Sequence, residues 1–323
     1  RVLFRSQQAL KIRTLTSQAN RYALESSMLA ARVHEINRKG VWIARSAAAG
    51  KAIVAGTMGP TGRYVKPLGP LDVDDMRSAF VDQASALLAG KPDCILLLSF
   101  IDLDELEIAI DAVRSLSAEI PIIASKSFPE DGSVLAGPFP TSVAHRLTRH
   151  GVDVIGSNGT VGPQRMLGIV QSLRVSTVPL IALPDIGIPT IVDGIAVYNA
   201  EPSYVAAAAA RLVDHGAAIV GADGGATIEH IAAIADAVRG RVVGSIAPDI
   251  KASRVERTVA ERPSETPAFL SALNTGFTAT VELDIPRGTD MSSVLEGARY
   301  LAAHGVDAVN ISDGARARLR MSP

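Results

Sequence analysis

One recurring phrase constrains the fold of this chain more than any other feature. It reads as a helix end, a glycine, a buried strand and a polar loop. Its copies are RHGVDVIGSN (149–158), DHGAAIVGAD (214–223), AHGVDAVNISD (303–313) and, more loosely, AGKPDCILLLS (89–99). Apolar residues at the i, i+3, i+4 spacing of a helix precede the copies. Apolar strands without alternation, separated by helices, indicate a parallel sheet covered by helices.

The number of such strands predicts the type of α/β fold. Together with the copies, further predicted strands at Lys11–Thr16, Ala52–Thr57, Ile120–Ser125 and Val178–Leu183 give seven strands up to Asp223. We expect a (β/α)8 TIM barrel that lacks its first βα unit, since such barrels take about 250 residues. A doubly wound open sheet is the alternative, but the chain contains no G-x-G-x-x-G fingerprint of the kind that often accompanies it.

The rest of the chain suggests further segments. Residues 1–6, RVLFRS, match the translation of a sequencing adapter and are expected not to be native. The first barrel is expected to span 7–248, and a polar, proline-bearing linker 249–275. Residues 276–323, with the strand FTATVELDIPRG and one copy of the phrase, suggest the start of a second (β/α)8 barrel.

Charge and cysteine content exclude several classes of function. The formal net charge is -1, with the charged residues scattered, so no basic patch for nucleic acid or anionic membrane is predicted. The apolar runs are too short to span a bilayer. The one cysteine, Cys94, excludes an internal disulfide framework and a site with several thiolates. These features are typical of a cytoplasmic protein, and homo-oligomerisation stays open.

Loops that follow barrel strands carry the chemistry of this fold. The candidates for binding a substrate are Thr57, Gly59, Ser99, Asn158, Asp185 and Asp223, and Lys126 also occupies a loop position. The TMGPTG segment around Gly59 offers backbone N–H groups for a carboxylate, or forms a plain turn. Asp185 either contacts substrate or stabilises a turn. Asp223 either contacts a ligand or caps the next helix, and we favour the cap.

Several polar residues have simpler structural explanations. Asp102, Asp104 and Glu105 begin a helix, where acidic side chains complement the dipole. Thr227 is expected to cap a helix that contains His230 in its first turn. The histidines of the recurring phrase precede a glycine at a helix end, where a structural role is expected; they are His150, His215 and His304.

The loop motifs as a set resemble a known family. TLTSQANRYAL, EINRKGVWIAR, VAGTMGPTG, DLDELEIAIDAVR, GSNGTVGP, PDIGIP and ATIEHI resemble, in order and spacing, the homocysteine S-methyltransferase barrel. FTATVELDIPRGTD and GVDAVNISDGARARLRMSP resemble the opening of methylenetetrahydrofolate reductase, which follows that barrel in bifunctional bacterial proteins. The resemblance implies methyl transfer to homocysteine in one-carbon metabolism, joined to a reductase that uses FAD and folate. Glu282 matches the catalytic Glu of the reductase by this resemblance.

The chain departs from the methyltransferase pattern at its metal site. In the family a zinc ion held by three cysteines binds the homocysteine sulfur as a thiolate. The corresponding positions here are Gly159, Asp223 and Gly224, so zinc is expected for the family but not bound by this chain. Where the family has Glu-Thr near the ammonium group of the substrate, this chain has Ser99-Phe100. Two interpretations follow: methyl transfer to homocysteine or another thiol, or a catalytically silent barrel that serves the reductase as scaffold or ligand sensor.

Overall fold

The computed structural model describes residues 10–128, 139–187, 190–192, 195–244, 271, 273, 276–283 and 291–311. The chain divides into two compact units, Arg1–Asp249 and Ile250–Pro323. Residues 1–6 and most of 245–275 lie outside the described ranges, so the adapter, linker and domain boundaries stay predictions.

The first unit contains a parallel sheet of seven strands. The strands up to Val220 are β1 (Leu10–Arg13), β2 (Ala52–Met58), β3 (Cys94–Phe100), β4 (Ile122–Lys126), β5 (Val154–Asn158), β6 (Leu180–Leu183), β7 (Thr190–Val192), β8 (Ile195–Val197) and β9 (Ala217–Val220). The sheet runs in the order β1-β2-β3-β4-β5-β6-β9, and every pairing in it is parallel. The order never reverses, whereas a doubly wound sheet reverses at a switch point. The seven strands are therefore confirmed, in a curled sheet consistent with a TIM-like barrel; among the described residues β1 and β9 do not pair.

The described residues of this unit form eight α-helices. They are α1 (Arg21–Glu25), α2 (Val33–Ala48), α3 (Val73–Ala89), α4 (Leu103–Leu116), α5 (Pro140–Arg149), α6 (Pro163–Leu173), α7 (Pro202–Asp214) and α8 (Ile228–Val238). Three of them begin with proline, whose fixed φ suits the first helical position. The recurring phrase ends α5 and α7 as expected, because His150 and His215 are the C-caps and a left-handed glycine follows each.

The central strands β3, β4 and β5 are buried on both faces, which explains their unbroken apolar sequences. The larger core lies between sheet and helices and includes Phe80, Phe100 and Ile122. A smaller cluster lines the inner face of the sheet and includes Leu96 and Ile123. Cys94 begins β3 and is fully buried, as expected. Alternation along each strand therefore tells which side chains face the barrel interior and which face the helices.

A short hairpin inserted between β6 and α7 was not foreseen. β7 and β8 pair antiparallel, and the chain leaves β8 through Tyr198, a half-buried residue that packs on the cluster of Ile186, Val205 and Ile234. The sequence of this insertion carries an Asp-Gly pair between the two strands, a strong hairpin signal that sequence analysis missed, and its strands have only three residues each. The insertion brings an aromatic residue next to the loop after β9.

The second unit contains a β-α-β element. Strand β10 (Thr280–Leu283) pairs in parallel with β11 (Ala308–Ile311), and α9 (Ser292–Ala303) connects them. His304 is the C-cap of α9, as the third copy of the phrase predicts. A second barrel stays a prediction, because the described residues hold this one element.

None of the helices described in the structure is long and apolar enough to cross a membrane.

Candidate functional site at the carboxyl ends of the strands

Polar side chains gather where the parallel strands end. Thr57, Ser125 and Asn158 alternate in register with Ala55, Ile123 and Val154, three members of the inner cluster, so they face the barrel interior. All three are almost fully buried. Thr57 and Asn158 lie within strands rather than in loops, which corrects their predicted location. We call the carboxyl-end opening of the sheet, lined by these residues, the mouth.

Asn158 is the centre of the hydrogen-bond network in the mouth. Its Oδ1 accepts from the backbone N–H of Ser99 at 2.9 Å and from Oγ of Ser125 at 2.8 Å. Its Nδ2 donates to Oγ of Ser99 at 3.0 Å and to Oδ2 of Asp223 at 2.9 Å. One fully buried amide thus joins the ends of β3, β4 and β5 to the loop after β9. Sequence analysis did not identify Ser125, although it precedes the candidate Lys126.

Ser99 has an unusual backbone conformation. Its φ is +67°, and the pairing of β3 with β4 shifts register between Leu97 and Phe100. A serine in the left-handed region is uncommon, and together with a bulge it is a feature found at functional sites. The bulge aims both the N–H and the hydroxyl of Ser99 at Asn158.

Asp223 is held from two sides. Its Oδ1 accepts from Nη2 of Arg13 at 2.8 Å, and its Oδ2 accepts from Asn158. The expectation that Asp223 caps the next helix is wrong, because Thr227 is the N-cap of α8 and forms a capping box with His230. Arg13 was missed by sequence analysis. Its position just before a loop of the family pattern is a local signal for a candidate residue, but this signal does not show that Arg13 pairs with Asp223.

The three positions that correspond to the family's zinc ligands lie close together. A Cβ atom on Gly159 would be 3.4 Å from Oδ2 of Asp223 and 3.7 Å from Oδ1 of Asp185. A Cβ atom on Gly224 would be only 2.7 Å from Oδ1 of Asp185 and 3.2 Å from the hydroxyl of Tyr198. Asp185 Oδ1 also accepts from the backbone N–H of Gly224 at 2.7 Å, so Asp185 stabilises this turn.

The residues present do not fit a zinc ion. Zinc sites in proteins take three or four Cys, His or carboxylate ligands, and the described residues contain no group of three such side chains that could hold a metal. The one carboxylate at the corresponding positions, that of Asp223, has both oxygens engaged by Arg13 and Asn158. Asp185 and Tyr198 fill the space beside Gly224. The mouth of this chain is therefore organised by hydrogen bonds and an ion pair.

The TMGPTG segment is fixed by Glu105 of α4. The carboxylate of Glu105 accepts from the backbone N–H of Thr61 at 2.8 Å and from its hydroxyl at 2.6 Å. The N–H of Thr61 is therefore already engaged by Glu105 and is not available to bind a substrate carboxylate. The backbone at Gly59 approaches that of Ser17 closely, since a Cβ atom on Gly59 would be 2.8 Å from the carbonyl oxygen of Ser17. Burial raises the pKa of Glu105, although the hydrogen bonds from Thr61 oppose this shift.

Substitutions of Glu105 test this anchor. We expect Glu105→Ala to destabilise the fold by about 2 kcal/mol, because the N–H and hydroxyl of Thr61 lose their acceptor. Glu105→Gln keeps an acceptor oxygen and avoids burying a charge, so its cost is expected to stay below about 1 kcal/mol. The measurement is urea unfolding at pH 7.5, with Glu119→Gln at an exposed position as control. Equal destabilisation by the Ala and Gln variants would contradict this explanation.

Lys126 is not part of the mouth. It ends β4 and alternates in register with Ile122 and Ala124, which belong to the core between sheet and helices. The side chain is 1% exposed, and its Nζ donates to the carbonyl of Ser127 at 3.1 Å and lies 4.3 Å from the ring centroid of Phe128. Burial lowers the pKa of Lys126 to about 8. Its predicted loop position is thus wrong.

The remaining candidates lie elsewhere. Glu282 is an exposed residue of β10, opposite Asn310 of β11, and its catalytic role stays a prediction. Asp102 caps α4 by accepting from the N–H of Asp104. His230 is buried, and both ring nitrogens are engaged, by Thr227 and by the carbonyl of Ala200, which confirms its structural role.

Comparison with known proteins identifies the family of the first unit. The family model of homocysteine S-methyltransferase matches residues 4–238. The chain belongs to the homocysteine S-methyltransferase family. Curated relatives include the methionine synthases of Mycobacterium tuberculosis, 30% identical over 265 residues, and of Mycobacterium leprae, 28% identical over 265 residues. Each alignment covers 78% of this chain and 21% of the relative, so the chain spans about a fifth of these proteins.

Solved structures support the same fold. The homocysteine methyltransferase MmuM from Escherichia coli matches in its oxidized form with a TM-score of 0.57 and 19% identity, over 69% of this chain and 78% of that one. Its metallated form matches equally well in TM-score and identity, over 70% and 78% of the two chains. At this identity the likeness concerns the fold alone. The family's members are typically zinc-dependent, whereas the described residues of this chain lack a fitting ligand set.

Proposed function

We propose that the first unit is a methyltransferase domain that binds homocysteine, or another small thiol, at the mouth and does so without zinc. The observation that carries this proposal is the network of Asn158, which joins the ends of three strands to Asp223 at the place where barrels of this type hold their substrates. Membership of the homocysteine S-methyltransferase family supports the substrate class.

Two features of the mouth suit a small polar ligand. The hydroxyl of Thr57 is buried and has no hydrogen-bond partner within the described part of the chain, although it faces the interior. Buried polar atoms rarely stay unpaired, so this hydroxyl is available to a ligand. Ser99 presents a hydroxyl in place of the acidic residue expected from the family. The ammonium group of an amino acid ligand would therefore be bound through hydrogen bonds to neutral partners or by the carboxylate of Asp185.

The second unit completes the proposal. We assign it to the start of a reductase of the methylenetetrahydrofolate type, with Glu282 as its acid, FAD as cofactor and folate as substrate. What supports this is the parallel β-α-β element and the position of Glu282 on its first strand. Flavin absorbance that copurifies with the protein is the expected result, and its absence would refute the assignment.

Calorimetry tests the first part of the proposal. The full chain is titrated with homocysteine, once with added zinc and once with a chelator, alongside Asn158→Ala and the exposed control Asn199→Ala. We expect binding in both conditions, a loss of at least about tenfold in affinity for Asn158→Ala because hydrogen bonds to the mouth are removed, and no change for the control. Binding that requires zinc would refute the metal-free site. Absence of binding in both conditions would refute the substrate and favour a silent barrel that serves the reductase.

A further inference from the structure

Arg13 presents a partly used guanidinium to the mouth. It is the last residue of β1, and its Nη2 donates to Oδ1 of Asp223 at 2.8 Å. Its Nη1 is buried and has no hydrogen-bond partner among residues that the structure describes. The side chain as a whole is one-third exposed. One nitrogen of the fork is therefore fixed by the protein, while another, out of water, carries two N–H donors without an acceptor.

The surrounding side chains fix the orientation of this guanidinium without engaging all of its N–H donors. Asp223 is 18% exposed and is itself held by Asn158 at 2.9 Å, so Arg13 is tied through two side chains to the centre of the network. A guanidinium accommodates two acceptors in one plane, since it has five N–H donors in a fixed fork. Lys126, a second cation near these strand ends, points into the helix-facing core and does not compete for the same ligand.

We infer that Arg13 binds an anionic atom of the substrate, either its thiolate or its carboxylate, through Nη1. This inference rests on the proposed function, because it takes the mouth as the substrate site. A guanidinium is the partner that proteins use for planar carboxylates, and a nearby arginine also favours a thiolate over a thiol. Arg13 thereby supplies the positive charge of a site whose other charged groups described here, Asp185 and Asp223, are carboxylates.

Three ligands separate the two sources of negative charge. Homocysteine carries both groups, 2-aminobutyrate carries the carboxylate without sulfur, and 3-aminopropanethiol carries the thiol without a carboxylate. Each is titrated calorimetrically into the full chain, into Arg13→Met and into Arg21→Met. Arg21 is the matched control, because its side chain is also 33% exposed and ion-paired, with Asp82 on the outer helices.

We expect Arg13→Met to weaken homocysteine about 10- to 100-fold, as the loss of one charge-assisted hydrogen bond predicts, and Arg21→Met to leave it unchanged. A parallel loss for 2-aminobutyrate assigns the carboxylate to Arg13, and a parallel loss for 3-aminopropanethiol assigns the thiolate. If homocysteine binds Arg13→Met as tightly as the unmodified chain, the inference is overturned while the proposed function stands. If the unmodified chain binds 2-aminobutyrate through Arg13 but neither homocysteine nor 3-aminopropanethiol, the proposed function falls and the anion site stands. Binding of none of the three refutes both.

Discussion

Replacing Lys126 by methionine is expected to stabilise the first unit by about 3 kcal/mol at neutral pH. The side chain is 1% exposed, and among the described residues no carboxylate lies within ion-pairing distance of its Nζ. Burial lowers the pKa of Lys126 from 10.5 to about 8. Each unit of such a shift corresponds to about 1.4 kcal/mol of preference for the neutral form, and methionine fills a similar volume without a charge.

The pH dependence gives this prediction a second readout. In the unfolded chain Lys126 keeps a proton up to its ordinary pKa of 10.5, whereas in the folded chain it loses the proton near pH 8. The unfolded state therefore binds more protons between these values, and stability rises with pH across that window. Below pH 8 the amine is charged in both states, and the full penalty of its burial is present. Lys126→Met should lack this rise.

Urea unfolding at pH 7 and at pH 10 measures both effects. The comparison is between the unmodified chain, Lys126→Met and Lys51→Met, where Lys51 is exposed and serves as control. The gain from Lys126→Met should shrink towards zero at pH 10, and Lys51→Met should show little change at either pH. A Lys126→Met variant less stable than the unmodified chain at pH 7 would show that the interactions with Phe128 and Ser127 outweigh the burial of charge.

The fold could be predicted from the sequence because its signals are local and repeated. A helix that ends at His150 or His215, a glycine with positive φ and an apolar strand recur along the chain. Each repeat specifies one β-α unit, and the parallel strands of these units pair side by side in chain order. The β7–β8 hairpin escaped prediction because strands of three residues are too short for a periodic pattern, and the turn signal of the Asp193-Gly194 pair between them was overlooked.

The site was predicted only in part, because its contacts join residues far apart in the sequence. Asn158 and Asp223 were identified as loop residues of the family pattern, and the structure brings them together across 65 positions. Arg13 was missed, since it contacts Asp223 over 210 positions and nothing local marks the pair. The helix cap wrongly assigned to Asp223 followed a sound local rule. Thr227, which directly precedes the helix, is the actual N-cap, and the carboxylate of Asp223 accepts a hydrogen bond from the distant Arg13.

Changing Asn158 to aspartate is expected to destabilise the first unit by about 2 to 4 kcal/mol at pH 7.5, the cost of leaving buried charges unpaired. The substitution keeps the shape and the oxygen that accepts from Ser99 and Ser125. It replaces an N–H donor, 2.9 Å from Oδ2 of Asp223, by a second carboxylate oxygen. Two carboxylates at that distance share a proton rather than ionise together, so the variant takes up a proton on folding.

Acidification should therefore restore part of the lost stability. The difference between Asn158→Asp and the unmodified chain is expected to shrink between pH 7.5 and pH 5, whereas Asn158→Ala, which has no group to protonate, should show a constant deficit. Urea unfolding of both variants at the two pH values measures this, with the exposed Asn199→Asp as control for added charge. A deficit of Asn158→Asp that does not change with pH would mean that Asp223 turns away from position 158. Recovery at low pH would establish that the side chain at position 158 contacts Asp223, the arrangement on which the proposed substrate site and the proposed role of Arg13 depend.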